Sequence, residues 1–571
     1  MRILPYLPSL LFVILINILF SLIDSKLDLT EDGKHSLSEE TTHILNNLDD
    51  QIFIKVYLEG DFPSEFKHLQ YEVLNLLRNF SIIAGNNFDF EFINPNNTND
   101  NEERLDLFKQ LVQNGLTPTD IEVQSVNLKS NQIIFPGALV YYKQKQRAIN
   151  FLQNSINKDV GHNINNSVEN LEYELISAIN NLIKKKINKI AFLEGNGELN
   201  AKEVYDLNES VLQDNNRLSY HYIIDRFNIK EYEVDSTSMQ ADVAKQISDL
   251  SQYKVVIIAK PTISFNKLEK FIIVQYIMNG GKVLWFIDGV NATMDSLQSS
   301  KSFIALKNDL NIDHQLFKYG VRINANLVED LRSAKIPIVT GYSNNMPQQS
   351  FFEWPYFPLL FSEEDHPISK NLDAIKCDFV SSIDTIKNEI RKTILLSSSK
   401  QSRISSSPSK VSLGIIENPP PISSFNKAQL PIAVLLEGEF ESVFKNRILP
   451  KDQSLGFKEK SKLTQMIVVS DGDILRNNVT KNGDIYPLGY DKFINYTYPG
   501  NKKFVMNTIH YLCDDIGLTK MKSKEIKLRL LDKEKIIRNR LLIQLCNIIF
   551  PFSMIWIFFI LFLKFKKRKY A

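Results

Sequence analysis

EKFIIVQYIMNGGKVLWFID, residues 269–288, is the stretch that decides the fold class of this 571-residue chain. A helix is predicted over residues 266–278, and Gly280-Gly281 interrupts it. The following run, residues 282–288, is predicted to be a strand. A helix that leads directly into a strand is typical of the crossover connections that build parallel sheets.

The same alternation of strands and helices extends to both sides of this stretch. The elements predicted there are strands at residues 189–194, 220–224, 255–259, 432–437 and 465–470, and helices near residues 204–212 and 501–514. We therefore predict one large parallel-sheet α/β domain over residues 187–515. Pro-rich or Ser-rich pieces at 353–358, 397–407 and 418–424 interrupt it, and the last two are predicted to be exposed loops.

A second and smaller α/β domain is predicted over residues 26–155. A helix opened by Ser38 precedes a strand at 51–59, a helical period continues to about residue 84, and a strand follows at 88–94, which makes a β-α-β unit. Further strands are predicted at the following positions: 121–127, 132–142 and 145–151. Residues 156–186 are predicted to link the two domains through an amphipathic helix at 170–186.

Both ends of the chain carry apolar segments long enough to cross a bilayer. Residues 3–23 and 541–563 contain no charged side chain, and about 20 apolar residues span the hydrocarbon layer. We predict transmembrane helices at 1–25 and 541–563, the second preceded at 516–540 by a basic helix and followed at 564–571 by a basic tail. A cleaved signal peptide is the alternative for the first segment, but no small-residue cleavage pattern follows it.

Two spans place both termini on one side of the membrane. Arg2 and the basic tail indicate that this side is the cytoplasm, with the main body outside. Basic residues also lie just before the second span, at 533–540, so that charge alone leaves the orientation open.

Composition excludes several classes of function. Lys plus Arg total 67 against 66 for Asp plus Glu, a net charge of +1, which gives no field to attract nucleic acid. The three cysteines, Cys377, Cys513 and Cys546, have no metal-binding or disulfide-framework spacing and are interpreted as plain buried residues. No phosphate-binding loop, Gly-x-Ser-x-Gly elbow or HxxxH pair occurs, so we predict a chain without enzymatic activity, cofactor or metal.

Four residues remain as candidates for contact with a ligand or partner. Asp288, Asp471 and Asp473 follow predicted strands, and α/β folds bind ligands at strand ends. Capping of turns and helices is the competing and favoured interpretation of these carboxylates. Trp354 belongs to an aromatic cluster at 351–357 that is either a binding surface or, as we favour, core packing.

Segments along nearly the whole chain are similar to the gliding-motility-associated ABC transporter auxiliary proteins of the GldG type. They include DLTEDGKHSLSEET at 28–41, VYLEGDFPSEF at 56–66, IAFLEGNGEL at 190–199, the opening stretch at 269–288, PIAVLLEGEFESVFKNR at 431–447 and VVSDGDILRNN at 468–478. The resemblance implies a subunit of the bacterial inner (cytoplasmic) membrane with a periplasmic body, working beside a separate ABC permease and ATPase. It also implies a domain resembling amidotransferase-like folds without their nucleophile.

Three functions stay open at this point. The first is an auxiliary, substrate-binding-like transporter subunit that contacts membrane lipid, its permease and ATPase, and a periplasmic ligand or envelope protein. The alternative is a non-enzymatic envelope scaffold or adaptor that takes no part in transport. The third is an envelope enzyme that uses Asp288, Asp471 or Asp473, against which the missing nucleophile and metal-ligand patterns argue.

Overall fold

The computed structural model describes residues 36–97, 100–125, 128–152, 160–184, 188–208, 222–231, 242–343, 346–362, 366–449, 456–523 and 539–570. Within these, Ser36–Lys524 forms one compact unit and the C-terminal helix belongs to another. The predicted first span and most of the predicted basic helix at 516–540 lie outside the described residues.

Twelve α-helices are described, and we number them in chain order. They are α1 (Glu39–Asn46), α2 (Ser64–Ala84), α3 (Asn101–Gln113), α4 (Val160–Ile183), α5 (Tyr205–Asn208), α6 (Val243–Leu250), α7 (Lys267–Met278), α8 (Asp295–Ser299), α9 (Asp313–Tyr319), α10 (Gly414–Glu417), α11 (Pro499–Cys513) and α12 (Arg540–Tyr570).

The strands of the N-terminal part form a four-stranded sheet and a separate hairpin. They are β1 (Ile52–Val56), β2 (Phe88–Phe92), β3 (Thr119–Ser125), β4 (Leu128–Ile134), β5 (Gly137–Tyr142) and β6 (Lys145–Asn150). The sheet order is β2-β1-β5-β6, with β1 and β2 parallel. The predicted β-α-β unit is therefore confirmed, and α2 buries Phe66, Leu69 and Phe80 in the same apolar core as β1.

One predicted strand in this part is wrong. Residues 132–142 form two strands, because Pro136 separates β4 from β5 and cannot donate to a ladder. Among the described strands, β4 pairs with β3 alone, whereas β5 pairs with β1 and β6. The linking helix α4 also begins ten residues before the predicted amphipathic segment, at Val160.

A seven-stranded sheet forms the centre of the larger part. Its strands are β7 (Lys189–Glu194), β8 (Ile223–Asn228), β9 (Val255–Ala259), β10 (Lys282–Phe286), β19 (Arg391–Ser397), β22 (Pro431–Gly438) and β23 (Thr464–Val469). Their order is β19-β22-β23-β10-β9-β7-β8. β8 begins three residues after the predicted start at residue 220.

The prediction of a parallel sheet is correct for only five of these strands. β8, β7, β9, β10 and β23 run parallel, whereas β22 runs antiparallel to both β23 and β19. The sheet is mixed because the last edge is built by strands that return without a crossover helix. Apolar periodicity cannot distinguish such strands from parallel ones when both faces are buried.

The stretch that decides the fold forms α7 and β10 at the middle of this sheet. Asn266 and Glu269 cap α7 reciprocally, since each side chain accepts the backbone N–H of the other residue. The helix has buried residues on all sides, including Phe271 and Tyr276, and Trp285 of β10 is fully buried. A helix that is apolar all round belongs in a protein core.

Residues 290–412 add smaller sheets between the strands of the main sheet. They contain β11 (Val290–Asn291), β12 (Ser302–Lys307), β13 (Val321–Ile323), β14 (Asn326–Asp330), β15 (Ser333–Ser343), β16 (Met346–Leu360), β17 (Ile375–Lys376), β18 (Ile383–Thr385), β20 (Ser402–Ser406) and β21 (Ser409–Ser412). Two short strands, β24 (Tyr490–Asp491) and β25 (Tyr496–Thr497), complete the set of described strands.

The prediction of an exposed loop at 397–407 is wrong. Ser402–Ser406 is a strand that pairs with β14, and Ser402 is fully buried, with its hydroxyl hydrogen-bonded to the Lys427 carbonyl. Serine is typical of loops because its hydroxyl competes for backbone groups, and here tertiary partners satisfy it. The other predicted loop, 418–424, is confirmed as irregular and mainly exposed, with one short 3₁₀ turn at Ile422–Ser424.

The C-terminal helix α12 covers the predicted second span and continues through most of the predicted basic tail. It contains Pro551. Its stretch Asn547–Phe565 has the length and apolar composition to cross a membrane, and none of this stretch is buried within the protein. This stretch is the single candidate membrane span among the described residues.

Candidate functional site

Three neighbouring parallel strands end at one edge of the main sheet, and each is followed by a charged residue. Lys260 follows β9, Asp288 lies two residues after β10, and Asp471 and Asp473 follow β23. β10 lies between the other two strands. Because the carboxyl ends of parallel strands share one edge, residues distant in sequence meet there. We call Lys260, Asp288, Asp471 and Asp473 the Lys260 cluster.

The lysine of this cluster pairs with two of its carboxylates. Lys260 Nζ lies 2.5 Å from Asp473 Oδ2 and 3.1 Å from Asp288 Oδ2. The side chains of these three residues are only 15–17% exposed. The ammonium group therefore joins the ends of three strands in a nearly dry environment, where charge pairs are strong but also costly to desolvate.

Asp288 and Asp471 also accept backbone hydrogen bonds. Gly472 N–H donates to Asp288 Oδ1 at 2.6 Å, and Asp473 N–H donates to Asp471 Oδ1 at 2.7 Å. Asp378 N–H donates to the other oxygen of Asp471 at 2.9 Å. The bond from Asp473 N–H to Asp471 is of the local turn-capping type that the sequence favoured for the aspartates. The other two bonds connect distant segments, since Gly472 lies 184 positions from Asp288 and Asp378 lies 93 positions from Asp471.

The environment raises the pKa of Lys260, Asp288 and Asp471 and lowers the pKa of Asp473. Burial alone would lower the pKa of Lys260, but attraction to Asp288 and Asp473 raises it. For Asp473, burial raises the pKa, but Lys260 outweighs that effect, so that the pKa lies below its ordinary value. Lys260 and Asp473 are therefore both charged at neutral pH.

The other two carboxyls are shifted upward. Burial raises the pKa of Asp288 in spite of the nearby Lys260 ammonium. Burial raises the pKa of Asp471 well above its ordinary value, and repulsion from Asp473 and Asp288 adds to this effect. A single ammonium does not neutralise three carboxylates, and the most buried of them is the one that ionises least readily.

A second layer of charged residues surrounds the cluster. Arg476 contacts Glu203 at 2.9 Å and Asp473 at 3.5 Å. Lys376, 10% exposed, contacts Asp378 at 2.6 Å and lies 4.3 Å from the centre of the Phe357 ring. The cluster is thus part of a larger network that connects β23, the segment around β17 and the loop after β7.

The three carboxylates lie close enough to hold a cation. One oxygen from each of Asp288, Asp471 and Asp473 falls within 4.8 Å of the others. Carboxylate oxygens are ligands for magnesium and calcium ions. The ammonium of Lys260 already supplies a positive charge at this place, so that a divalent ion would have to displace it. The geometry therefore fits a structural ion cluster better than a metal centre.

The aromatic cluster at 351–357 divides between the core and the surface. Trp354 is fully buried, and its ring packs against Tyr356, 5.2 Å between ring centroids. Phe357 is also fully buried, whereas Phe351 is 52% exposed. Trp354 is therefore placed for core packing, the interpretation that the sequence favoured, and its ring is not presented to a ligand.

Sequence reasoning found the three aspartates but missed the cations that accompany them. Lys260 was missed although it directly follows a buried strand, the same signal that marked Asp288. Its backbone has a φ of 54°, which is uncommon for a residue other than glycine and often marks a constrained position. Lys376 and Arg476 have no comparable signal in the sequence, because only the fold brings them to this edge of the main sheet.

Comparison with known protein families assigns the part of the chain that contains this site. Residues 188–508 match the family described as an ABC-type uncharacterized transport system. The chain belongs to this family. Residues 31–141 match a domain of unknown function. Membership in the ABC-type transport system family supports an accessory role in an ABC transporter and association with such a complex, as the resemblance implied.

Other comparisons add little. No curated protein matches the chain. Among solved structures, an mmIFT52 N-terminal domain is 14% identical with a TM-score of 0.30, covering 57% of this chain and 97% of that domain. A similarity this weak supports no argument about function. The function of the chain is therefore inferred from its family and from the geometry of the described residues.

Proposed function

We propose that this chain is a membrane-anchored, non-enzymatic auxiliary subunit of an ABC transporter complex, with its main body in the periplasm. The observation that carries the proposal is α12. Its 19-residue stretch Asn547–Phe565 is apolar, and no part of it is buried within the protein. Such a helix requires lipid or other apolar helices around it. In a family of ABC-type transport systems, the helices of a permease are the natural partner.

The ATPase and the permease are proposed to be separate chains. The sequence has no phosphate-binding loop, which an ABC ATPase requires to cradle the nucleotide. One or two spans are also too few to enclose a transport pathway. The chain thus contributes a large body and its anchors, and relies on partners for energy and for the pore.

The Lys260 cluster supports a role without catalysis. A general acid or base must reach its substrate, whereas Asp471 is fully buried and both of its oxygens accept backbone N–H groups. Lys260 and Asp473 neutralise each other instead of facing a ligand. These contacts suit a rigid strand-end junction that holds the body in one shape.

Purification tests the proposal directly. The full-length protein, tagged and extracted from membranes in mild detergent, is expected to co-purify with an ATPase and a permease in fixed ratio. A matched control replaces residues 547–565 by a polyleucine span of the same length, which keeps the anchor but removes its specific side chains. If α12 docks on the permease, the control stays in the membrane and loses both partners.

Two other results would point elsewhere. A stable complex with an envelope protein, without ATPase or permease, would favour the scaffold alternative. Protection of the body from protease added to spheroplasts would reverse the proposed orientation. The link to gliding motility rests on the GldG-type resemblance, and a deletion strain that spreads over surfaces like its parent would contradict it.

A further inference from the structure

The longest of the described strands form a ribbon that extends beyond the apolar core. β15 and β16 are antiparallel partners, with Ile336 opposite Phe352 and Gly341 opposite Gln348. At the base of the ribbon, Ile336 and Trp354 are buried. Towards its tip Tyr342 and Met346 are 75% and 73% exposed. We call residues 336–343 and 346–352 the ribbon tip.

The composition of this region is unlike that of the whole chain. Residues 336–352 (IPIVTGYSNNMPQQSFF) contain no charged residue, in a protein that is 23% charged. A charged pair, Lys335 opposite Glu353, marks the boundary at its base. Exposed strands are commonly protected by lysine or other charges that discourage pairing. The ribbon tip has no such protection.

One edge of the ribbon tip is available for another strand. Among the described residues, positions 346–353 of β16 pair with β15 and with no other strand. Pro337 is opposite Phe351 and Pro347 is opposite Tyr342. Because proline has no N–H, these two pairs are of the kind that makes no hydrogen bond within the ribbon. This places the backbone N–H and C=O groups of Gln349 and Phe351 on the outer edge, facing away from β15.

The opposite edge is less suitable. By the same alternation each outer edge carries one proline without an N–H, Pro337 on β15 and Pro347 on β16. Pro347 lies one position from the end of its strand and leaves Gln349 and Phe351 in one continuous register, whereas the register shift between Val339 and Gly341 interrupts the outer edge of β15. A partner strand is therefore expected on β16.

The chemistry of this neutral segment favours protein over lipid. Eight residues of the sequence 336–352 carry amide or hydroxyl side chains (Thr340, Tyr342, Ser343, Asn344, Asn345, Gln348, Gln349, Ser350), which are costly to place in hydrocarbon. The segment has no basic residue to attract a lipid headgroup. Exposed Tyr, Met and Phe without charges are the composition of a protein interface.

We propose that the outer edge of β16 pairs antiparallel with the same edge of a second copy of this chain, about a two-fold axis at Ser350. This register places Gln349 of one copy opposite Phe351 of the other and Gln348 opposite Phe352. It brings no like charges together, because the segment is neutral. It satisfies on the order of four backbone hydrogen bonds that are otherwise made with water.

The contact is small, and its strength depends on the membrane. An interface of one strand pair is smaller than the roughly 1,200–2,000 Å² of stable complexes, so we expect a weak association in solution. Anchoring both copies in one membrane raises their effective concentration. The expected gain in effective concentration rests on the membrane anchoring proposed above, whereas the register of the two strands rests on the ribbon geometry alone.

Disulfide crosslinking in isolated membranes tests the register. Ser350→Cys is introduced into the full-length protein with Cys546→Ser, and the remaining cysteines, Cys377 and Cys513, are buried. Across the proposed axis the two Cα atoms at position 350 are about 4.5–5.5 Å apart, within disulfide reach. Oxidation is expected to produce a covalent dimer.

A matched control sits on the other strand of the same ribbon. Thr340→Cys is also exposed, but in the proposed four-stranded arrangement its two copies are about 14 Å apart, three strand spacings. Crosslinking at position 350 is expected to exceed that at 340 by more than about tenfold, because disulfides need Cα atoms within about 7 Å. Equal yields at both positions, or none at 350, would overturn the proposal.

Charge exchange separates self-pairing from binding to another protein. Ser350→Lys and Ser350→Glu each place like charges opposite one another. Each variant expressed alone should therefore stay monomeric when it is treated with a short crosslinker that does not react with amines. Co-expression of the two should restore the dimer, since opposite charges then face each other. A dimer that persists in either single variant would contradict the two-fold axis at Ser350, even if transport is normal. Co-expressed variants that form no dimer would contradict it as well.

Discussion

Lys260 Nζ lies 2.5 Å from Asp473 Oδ2, although 213 positions separate the two residues in the chain. The same ammonium lies 3.1 Å from Asp288 Oδ2. Three parallel strands, β9, β10 and β23, are thus connected at their carboxyl ends by one buried cation. Removing or altering that cation should reveal how much the body depends on this junction.

Replacing Lys260 by methionine is expected to destabilise the body strongly. Asp288 and Asp473 would then be buried without their cation, and breaking a buried pair from one side costs about 3–5 kcal/mol. The measurement is chemical denaturation of the full-length protein in mild detergent, followed by tryptophan fluorescence. Lys307→Met is the control, because Lys307 pairs with Asp313 at the surface, where such pairs contribute about 0–1 kcal/mol. Equal effects would contradict the structural role of Lys260.

Stability should fall in alkaline solution because of the same lysine. The pKa of Lys260 is raised in the folded protein, so its stabilisation is fully present below the unfolded pKa of 10.5 and is lost as pH rises towards the folded pKa. Above pH 10.5 the unfolded chain loses the proton that the folded chain keeps. This contribution falls by about 1.4 kcal/mol per pH unit.

Lys260→Arg isolates this contribution, since arginine stays charged in both states. The free energy of unfolding of the wild type minus that of the variant is measured between about pH 9 and pH 12. The difference should be constant up to about pH 10.5 and decline above it. A difference that stays flat over the whole range would show that Lys260 does not hold its proton as the geometry requires.

A methyl group at position 472 should disturb the cluster through sterics alone. A Cβ on Gly472 would lie 2.5 Å from Lys260 Cβ and 2.6 Å from its Cγ, and the backbone there has an ordinary φ of −80°. Gly472→Ala is expected to cost about 1–3 kcal/mol, as overpacking does. Gly414→Ala serves as the control, because its nearest neighbour would be Ser412 Oγ at 3.4 Å. A neutral Gly472→Ala would mean that Lys260 has room to move.

Another buried ion pair, away from the cluster, predicts a similar asymmetry between buried and exposed pairs. Glu329 on β14 is fully buried, and Arg403 on β20 contacts it at 2.6 Å. Arg403→Met should destabilise the body by about 3–5 kcal/mol, because the carboxylate is left buried and unpaired. Arg322→Met, which breaks the exposed pair with Asp384, should change stability by less than about 1 kcal/mol. Thermal unfolding of both variants in one buffer compares them.

Exchanging Asp288, Asp471 and Asp473 together for asparagine is expected to destabilise the body. Both oxygens of Asp471 accept backbone N–H groups, and an asparagine would direct its NH₂ at one of these donors. An unsatisfied buried group costs about 1–3 kcal/mol. Loss of function in such a variant therefore indicates catalysis only if its free energy of unfolding is unchanged.

Much of the fold could be predicted from local pattern. The β-α-β unit of β1, α2 and β2 and the central run of α7 and β10 follow from apolar periodicity and caps, which neighbours in sequence determine. One error was local, since Pro136 divides one predicted strand between two sheets. Other errors occurred where distant contacts decide, as at Ser402, which is buried because Lys427 supplies its partner.

The sequence by itself determined the α/β class, the apolar C-terminal helix, the absence of a phosphate-binding loop, and the placing of Asp288, Asp471 and Asp473 at strand ends. Each of these depends on residues close together in the chain. Only the tertiary structure decided that β22 runs antiparallel, that Trp354 is buried, and that Lys260 pairs with Asp288 and Asp473. The physical reason is that strand direction and charge pairing depend on energies between residues far apart in the chain, which no local pattern records.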